Sequence, residues 1–148
     1  MDKKYELTGN TKEVDGHILH QIKALTSFYV VEKGDLGGWV ENYYNLSQTG
    51  TSWVYDNAQV YGLSLVCDNA WVSDNAVVYD NAKICDNTRV YDHAIVCDNA
   101  MVFDNAWVGG NALVYNDAWV YDNAVVYDDA QVYGSARVYD HAKVYNDA

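Results

Sequence analysis

The sequence predicts an all-β fold, a parallel β-helix wound from triangular coils, with a short β-hairpin as an N-terminal cap. Three regularities lead to this prediction. An aliphatic residue, nearly always Val, stands at every sixth position from Val54 to Val144. A small residue, most often Ala, stands two positions earlier, and Asp-Asn pairs recur at the same step. A fixed short period is typical of a solenoid, because each unit buries its apolar face only against its neighbours.

Each six-residue unit supplies one short strand and one corner. Side chains alternate along a strand, so the small residue and the Val point inward while the residue between them points outward. Asp-Asn pairs favour turns, because both side chains can hydrogen-bond to the local backbone. We expect the Asn to adopt the left-handed backbone conformation at the corner. Three units close a coil of about 18 residues, and coils stack at about 4.8 Å, the spacing of hydrogen-bonded strands.

The pattern Val-x-x-x-small-x resembles the hexapeptide signature of left-handed β-helix proteins, which include many acyltransferases. A second likeness is more specific. The segments Gly37-Gly38-Trp39-Val40-Glu41, Asn45-Leu46-Ser47-Gln48 and Trp53-Val54-Tyr55-Asp56-Asn57-Ala58 resemble the opening of a family of bacterial hexapeptide-repeat proteins. Some members are labelled as transferases without a demonstrated reaction. The resemblance covers essentially the whole chain and implies a left-handed parallel β-helix, a hexapeptide-repeat solenoid.

The residues before the repeats predict a cap. A tight Asp15-Gly16 turn separates two short segments, residues 11–14 and 17–20, which read as a β-hairpin. The six-residue step begins at Val40, and one early corner is two residues longer than the others. The hairpin is expected to cover the open first coil, because exposed strand edges invite aggregation.

The chain is therefore expected to be one structural domain with a β cap over residues 1–37 and a β-helix over residues 38–148. No equivalent cap follows Ala148. We expect either that the last coil pairs with another chain or that the natural protein is longer.

The acidic charge lies in the repeats. Residues 1–52 hold seven acidic and five basic residues, whereas residues 53–148 hold fourteen acidic and four basic ones. This distribution argues against nucleic acid as a partner, because a phosphate-tracking groove needs clustered Lys and Arg. It also argues against an anionic membrane surface. No apolar run of signal-peptide or membrane-spanning length occurs, so a cytoplasmic location is the default expectation.

Outward residues 18 apart should stack into three columns. These columns are Trp53, Trp71, Arg89, Trp107, Val125 and Lys143; Gln59, Val77, Ile95, Leu113 and Gln131; and Leu65, Lys83, Met101, Trp119 and Arg137. Contiguous apolar patches mark interfaces, although stacked side chains could simply cover one another, with Arg89 as a cation–π layer between two Trp rings. The candidate interface residues are Val77, Ile95, Leu113, Trp53, Trp71 and Trp107.

Corner residues form further columns. One holds Tyr61, Tyr79, Cys97, Tyr115 and Tyr133, and another holds Cys67, Cys85, Phe103, Tyr121 and Tyr139. Ring stacking is sufficient to explain them. The three cysteines match no metal or redox spacing and are expected to be free thiols. Cys67 and Cys85 would nevertheless be neighbours at a Cα separation of about 4.8 Å, within disulfide range.

An unbroken column of carboxylates also follows from the register. Its members are Asp68, Asp86, Asp104, Asp122 and Asp140. One interpretation is a row of Ca²⁺ sites, since Ca²⁺–O distances of about 2.3–2.6 Å would let one ion bridge two coils. The other, which we prefer, is that each Asp caps its own turn and faces solvent, so that no metal and no cofactor is expected.

The function most consistent with these features is a non-catalytic scaffold or protein-interaction module that self-associates. A hexapeptide-type acyltransferase is an alternative from the fold, but His93 and His141 occupy corner positions and no catalytic residue is predicted. An acidic DNA mimic of phage or mobile-element origin is another. The repeats carry roughly one net charge per 2.5 Å of axis, against one per about 1.7 Å in B-DNA.

Overall fold

A computed structural model describes residues 3–148; Met1 and Asp2, which the sequence places in the cap, lie outside the described residues. Strands β1 (Tyr5–Val14) and β2 (His17–Ala24) form an antiparallel hairpin whose turn is Asp15-Gly16, as predicted. Strand β3 (Leu36–Val40) pairs antiparallel with β2. A three-residue 3₁₀ helix, Tyr43–Asn45, is the single helix within residues 3–148. No described helix therefore has the length and apolar character to cross a bilayer.

Sixteen two-residue strands follow at a six-residue step. They are β4 (Trp53–Val54), β5 (Gln59–Val60), β6 (Leu65–Val66), β7 (Trp71–Val72), β8 (Val77–Val78), β9 (Lys83–Ile84), β10 (Arg89–Val90), β11 (Ile95–Val96), β12 (Met101–Val102), β13 (Trp107–Val108), β14 (Leu113–Val114), β15 (Trp119–Val120), β16 (Val125–Val126), β17 (Gln131–Val132), β18 (Arg137–Val138) and β19 (Lys143–Val144).

These strands make a parallel β-solenoid of about six coils with three sheets. Sheet A has the order β1-β2-β3-β5-β8-β11-β14-β17, sheet B has β4-β7-β10-β13-β16-β19, and sheet C has β6-β9-β12-β15-β18. Each strand from β4 onward pairs in parallel with the strand 18 residues away, so the three predicted outward columns are confirmed in register. The hairpin extends sheet A beyond the first coil.

The interior is a continuous column of Val and Ala. From Val54 to Ala130 the residues at the aliphatic and small positions are fully buried, as predicted. Where the small residue is polar, its hydroxyl donates to the carbonyl oxygen three residues earlier: Ser64 Oγ to Tyr61 at 2.7 Å and Thr88 Oγ1 to Cys85 at 2.9 Å. In the sixth coil Val138 and Val144 are only partly buried.

The backbone conformation at the corners differs from one expectation. The residue with positive φ is the Asp of each Asp-Asn pair, at 56° to 62°, and not the Asn. Asn116 and Asn146 take the same conformation where they replace this Asp, as do Gly62, Gly110 and Gly134. Left-handed backbone is unfavourable for most L-residues, but a short polar side chain that can hydrogen-bond locally tolerates it. The residue type at this one position therefore sets the corner.

The cap covers the first coil with apolar side chains. Tyr5, Ile22 and Val31 are buried against Trp53, whose side chain is only 1% exposed. Gly37 makes this approach possible, because a Cβ there would lie 2.6 Å from the Val54 carbonyl oxygen and 2.8 Å from the Trp53 ring. The expectation that Trp53 belongs to an outer interface is therefore wrong, since the cap buries it.

Because the interior is narrow, we predict that position 100 tolerates a larger side chain far less well than position 101 tolerates a substitution. Ala100 is fully buried among neighbouring coils, whereas Met101 points outward and is partly exposed. We expect Ala100→Leu to lower the free energy of unfolding by about 1–3 kcal/mol through overpacking. Met101→Gln is the matched control and should cost much less. Denaturant titrations of both variants measure this, and equal losses would contradict the inward and outward assignment.

Candidate functional site

Sheet A presents the one strip of apolar residues predicted without charge. Ile95 pairs with Val77 on one side and Leu113 on the other, and all three side chains are partly exposed. We call Val77, Ile95 and Leu113 the uncharged strip. Gln59 and Gln131 continue the column at either end. The parallel pairing fixes the three side chains in a straight row, so they form a surface of constant shape.

Sheet B carries the tryptophan column, which is less uniform than predicted. Trp53 is buried under the cap. The Arg89 guanidinium lies over the Trp71 ring at 3.9 Å, and Tyr29 packs beside the same ring at 5.1 Å. Trp107 is 48% exposed, with Tyr91 set edge-on to it. Trp71 is therefore largely enclosed by its neighbours, and Trp107 is the accessible member of the three candidate Trp residues.

The carboxylate column is held by the backbone of the next coil. In the first four members, the Oδ2 atom of the Asp accepts the backbone N–H of the Asp 18 residues later. The N···Oδ2 distances are 3.1 Å for Asp86 on Asp68, 2.8 Å for Asp104 on Asp86, 3.1 Å for Asp122 on Asp104 and 3.1 Å for Asp140 on Asp122. The expectation that each Asp caps its own turn is wrong, because the carboxylate reaches across to the next coil. The five Asp residues, the Asn that follows each of the first four, and His141 after Asp140 line an open groove along one edge.

The corner rings stack as predicted. Tyr61 lies on Tyr79 at 5.4 Å, and Phe103 lies on Tyr121 at 5.0 Å. Burial, reinforced by the Asp15 carboxylate, raises the pKa of Tyr61 to about 12. A hydrogen bond with Cys97 raises the pKa of Tyr79, and burial raises the pKa of the Cys97 thiol itself. Cys97 thus lies between Tyr79 and Tyr115 in its column, with the pKa of its thiol raised.

The bonding of the corner cysteines differs from what the sequence predicted. Cys67 and Cys85 are joined by a disulfide between neighbouring coils, with Cα atoms 4.8 Å apart, so the expectation that both are free thiols is wrong. Adjacent positions in one column bring the two side chains together, and this proximity was visible in the 18-residue spacing. Cys97, in a different column, is free as predicted.

His93 and His17 lie in different surroundings. His93 lies at an exposed corner, as expected for a turn position. His17 lies in β2, where its Nδ1 is 2.8 Å from the Glu41 carboxylate and its ring packs 4.9 Å from Tyr61. Sequence reasoning missed this contact. The signal lay in the predicted hairpin, whose second strand runs alongside the segment that ends at Glu41.

These features together define a β-solenoid repeat protein. Residues 94–110 and 118–134 match the YdcK beta solenoid repeat family, two segments that together make up well under half of the chain. The matched segments lie in the fourth to sixth coils, where the six-residue step has no interruption. No curated protein matches the chain.

The raised pKa of Tyr61 predicts a loss of stability in alkali. Because its pKa is about 12 when folded, against about 10 unfolded, its contribution is complete below pH 10 and lost as the pH rises through 12. Tyr61→Phe should reduce the loss between pH 9 and pH 12 by on the order of 1–2 kcal/mol. Unfolding free energies across this range test it. Tyr133→Phe, at a position 57% exposed, is the control and should leave the slope unchanged.

Proposed function

We propose that this chain is a non-catalytic β-solenoid scaffold that self-associates through the uncharged strip. The observation that carries the proposal is the row of Val77, Ile95 and Leu113, which lie in register and partly exposed on one sheet. The charges lie mainly at the corners, so two copies can approach face to face without burying a carboxylate. A symmetric dimer uses the same strip on both copies, the commonest closed arrangement.

We also propose that the coil is left-handed and that the chain is a hexapeptide-repeat protein. Support comes from the six-residue strand spacing, from three strands per coil and from the Val-x-x-x-small-x pattern. An experimentally phased electron-density map would show the hand directly. A right-handed coil would separate this chain from the hexapeptide-repeat class.

Acyltransferase activity is less well supported than a scaffold role. The repeats from Val54 to Val144 keep one uninterrupted step, with no inserted loop to build an acyl-carrier cleft. His93 is at an exposed corner, and His17 has one ring nitrogen engaged by Glu41. Neither position gives a histidine a cleft in which to act as a general base.

Mimicry of nucleic acid is a second candidate, favoured by the groove of carboxylates. Five Asp side chains recur along one edge at one-coil intervals, and no Lys or Arg is among the residues that line that groove. Such a row offers regularly spaced anionic groups to a basic DNA-binding protein. The association would be electrostatic and therefore sensitive to salt.

Self-association predicts a mass at least twice that of one chain in static light scattering at tens of micromolar protein. Ile95→Lys together with Leu113→Lys should reduce it to the monomer, because charges would then face each other across the strip. Met101→Lys together with Val125→Lys places the same charges on the other two sheets and should leave the mass unchanged. A monomeric parent protein, or an undiminished mass in the strip variant, would refute the proposed interface.

Mimicry predicts that a basic DNA-binding protein is captured at low salt and released at high salt. Asp86→Asn, Asp104→Asn and Asp122→Asn combined should weaken capture. Asn keeps the side-chain oxygen that accepts the next N–H, and Asn116 already occupies an equivalent corner with positive φ. Circular dichroism checks whether the variant is folded. Binding that withstands high salt, or that the triple variant leaves unchanged, counts against mimicry.

A further inference from the structure

The pair Cys67 and Cys85 is set apart from the rest of its corner column. The column continues as Phe103, Tyr121 and Tyr139, whose rings stack on one another. At its N-terminal end two cysteines replace the rings in consecutive coils, and the coil spacing holds their Cα atoms 4.8 Å apart. Both cysteines are partly exposed, so solvent and small solutes reach them.

A third ligand atom adjoins the two sulfurs. The ligand atoms of Cys67, Asp68 and Cys85 all lie within 4.8 Å of one another, and Cys67 Sγ is 3.8 Å from Asp68 Oδ2. Asp68 uses Oδ2 to accept the Asp86 N–H. A carboxylate has lone pairs beyond the one that this hydrogen bond uses, so Asp68 can ligate a cation while the corner keeps its hydrogen bond.

The oxidation state of Cys67 and Cys85 determines whether this cluster can ligate a cation. A thiol reductant supplies two electrons and two protons, which convert the disulfide into two thiols at the same corner. Two thiolates on a tetrahedral metal at about 2.3 Å lie roughly 3.8 Å apart, slightly closer than the coil spacing. The side chains therefore need only converge a little to share one ion.

We propose that the reduced chain binds one soft divalent metal ion, such as Zn²⁺ or Cd²⁺, between Cys67 and Cys85, with Asp68 as the third ligand. Binding replaces the two thiol protons, which are released to solvent, and water completes the coordination. The disulfide form cannot bind the ion in this way, because its sulfurs are covalently joined and carry no thiolate charge. The site is thus available in a reducing compartment and closed in an oxidising one.

The second cysteine cluster provides an internal comparison. Asp80, Cys97 and Asp98 also bring three ligand atoms within 4.8 Å of one another. This cluster has one thiol, which is hydrogen-bonded with Tyr79, and one oxygen of each carboxylate accepts a backbone N–H. A soft cation prefers two thiolates to one, so the Cys67–Cys85 corner should bind first.

The test is a titration of the full chain with Cd²⁺ alone, after reduction with a non-chelating phosphine and its removal under anaerobic conditions. We expect one ion per chain by native mass spectrometry and a thiolate-to-metal charge-transfer band in the ultraviolet. The band should be lost in Cys85→Ser and in the disulfide form, and kept in Cys97→Ser. Asp68→Asn should weaken binding severalfold while the band remains.

The controls separate this site from the carboxylate groove. Ser73 occupies the equivalent corner position in another column, so Cys85→Ser is compatible with the fold, which circular dichroism checks. Excess Ca²⁺ should not displace Cd²⁺, because Ca²⁺ prefers oxygen ligands. The proposal is overturned if the reduced parent binds no Cd²⁺, if Cys85→Ser binds it equally well, or if Ca²⁺ displaces it.

Discussion

The structure depends on the Asp that stands at most corners and on the two hydrogen bonds that its backbone makes to the preceding coil. Positive φ turns the N–H of Asp86 back to the Asp68 carboxylate of the preceding coil, while the Asp86 carbonyl accepts the N–H of Asn69 at 3.0 Å. One residue therefore both bends the chain and ties two coils together. This contact recurs along all three edges, and at the other corners Gly or Asn holds the same backbone conformation, so the step stays at six residues and the outward side chains stay in register.

Much of the solenoid could be predicted because its period is set by local chemistry. The Val and Ala core, the three outward columns and the Asp15-Gly16 hairpin follow from alternation, spacing and turn residues. The burial of Trp53 could not be predicted, because residue 53 occupies the same outward position in its repeat as residue 71. The two differ only in that the cap packs on Trp53. That the Asp rather than the Asn takes positive φ could not be predicted either, because both residue types tolerate this conformation.

Because of this regular repeat, the edges and the faces of the solenoid carry different types of residue. Asp residues occupy corners because only short polar residues and Gly suit positive φ there, so the negative charge gathers along the edges of the solenoid. The residue between the small position and Val has no such constraint and is free to be Trp, Val, Lys or Leu. Differences between one coil and the next are therefore concentrated on the faces and in exceptions at the corners, such as the Cys67–Cys85 pair.

The segment 45–48 joins the solenoid to its cap at the point where the six-residue step is broken. The Asn45 amide donates to the Ser64 carbonyl at 2.8 Å, and its oxygen accepts the N–H of Glu41 at 3.1 Å. Gln48 Oε1 accepts the N–H of Lys4 at 2.7 Å. Side chains thus supply the hydrogen bonds that backbone ladders supply elsewhere. These residues, which resemble a family motif, are accounted for by the hydrogen bonds that join the cap to the first coil.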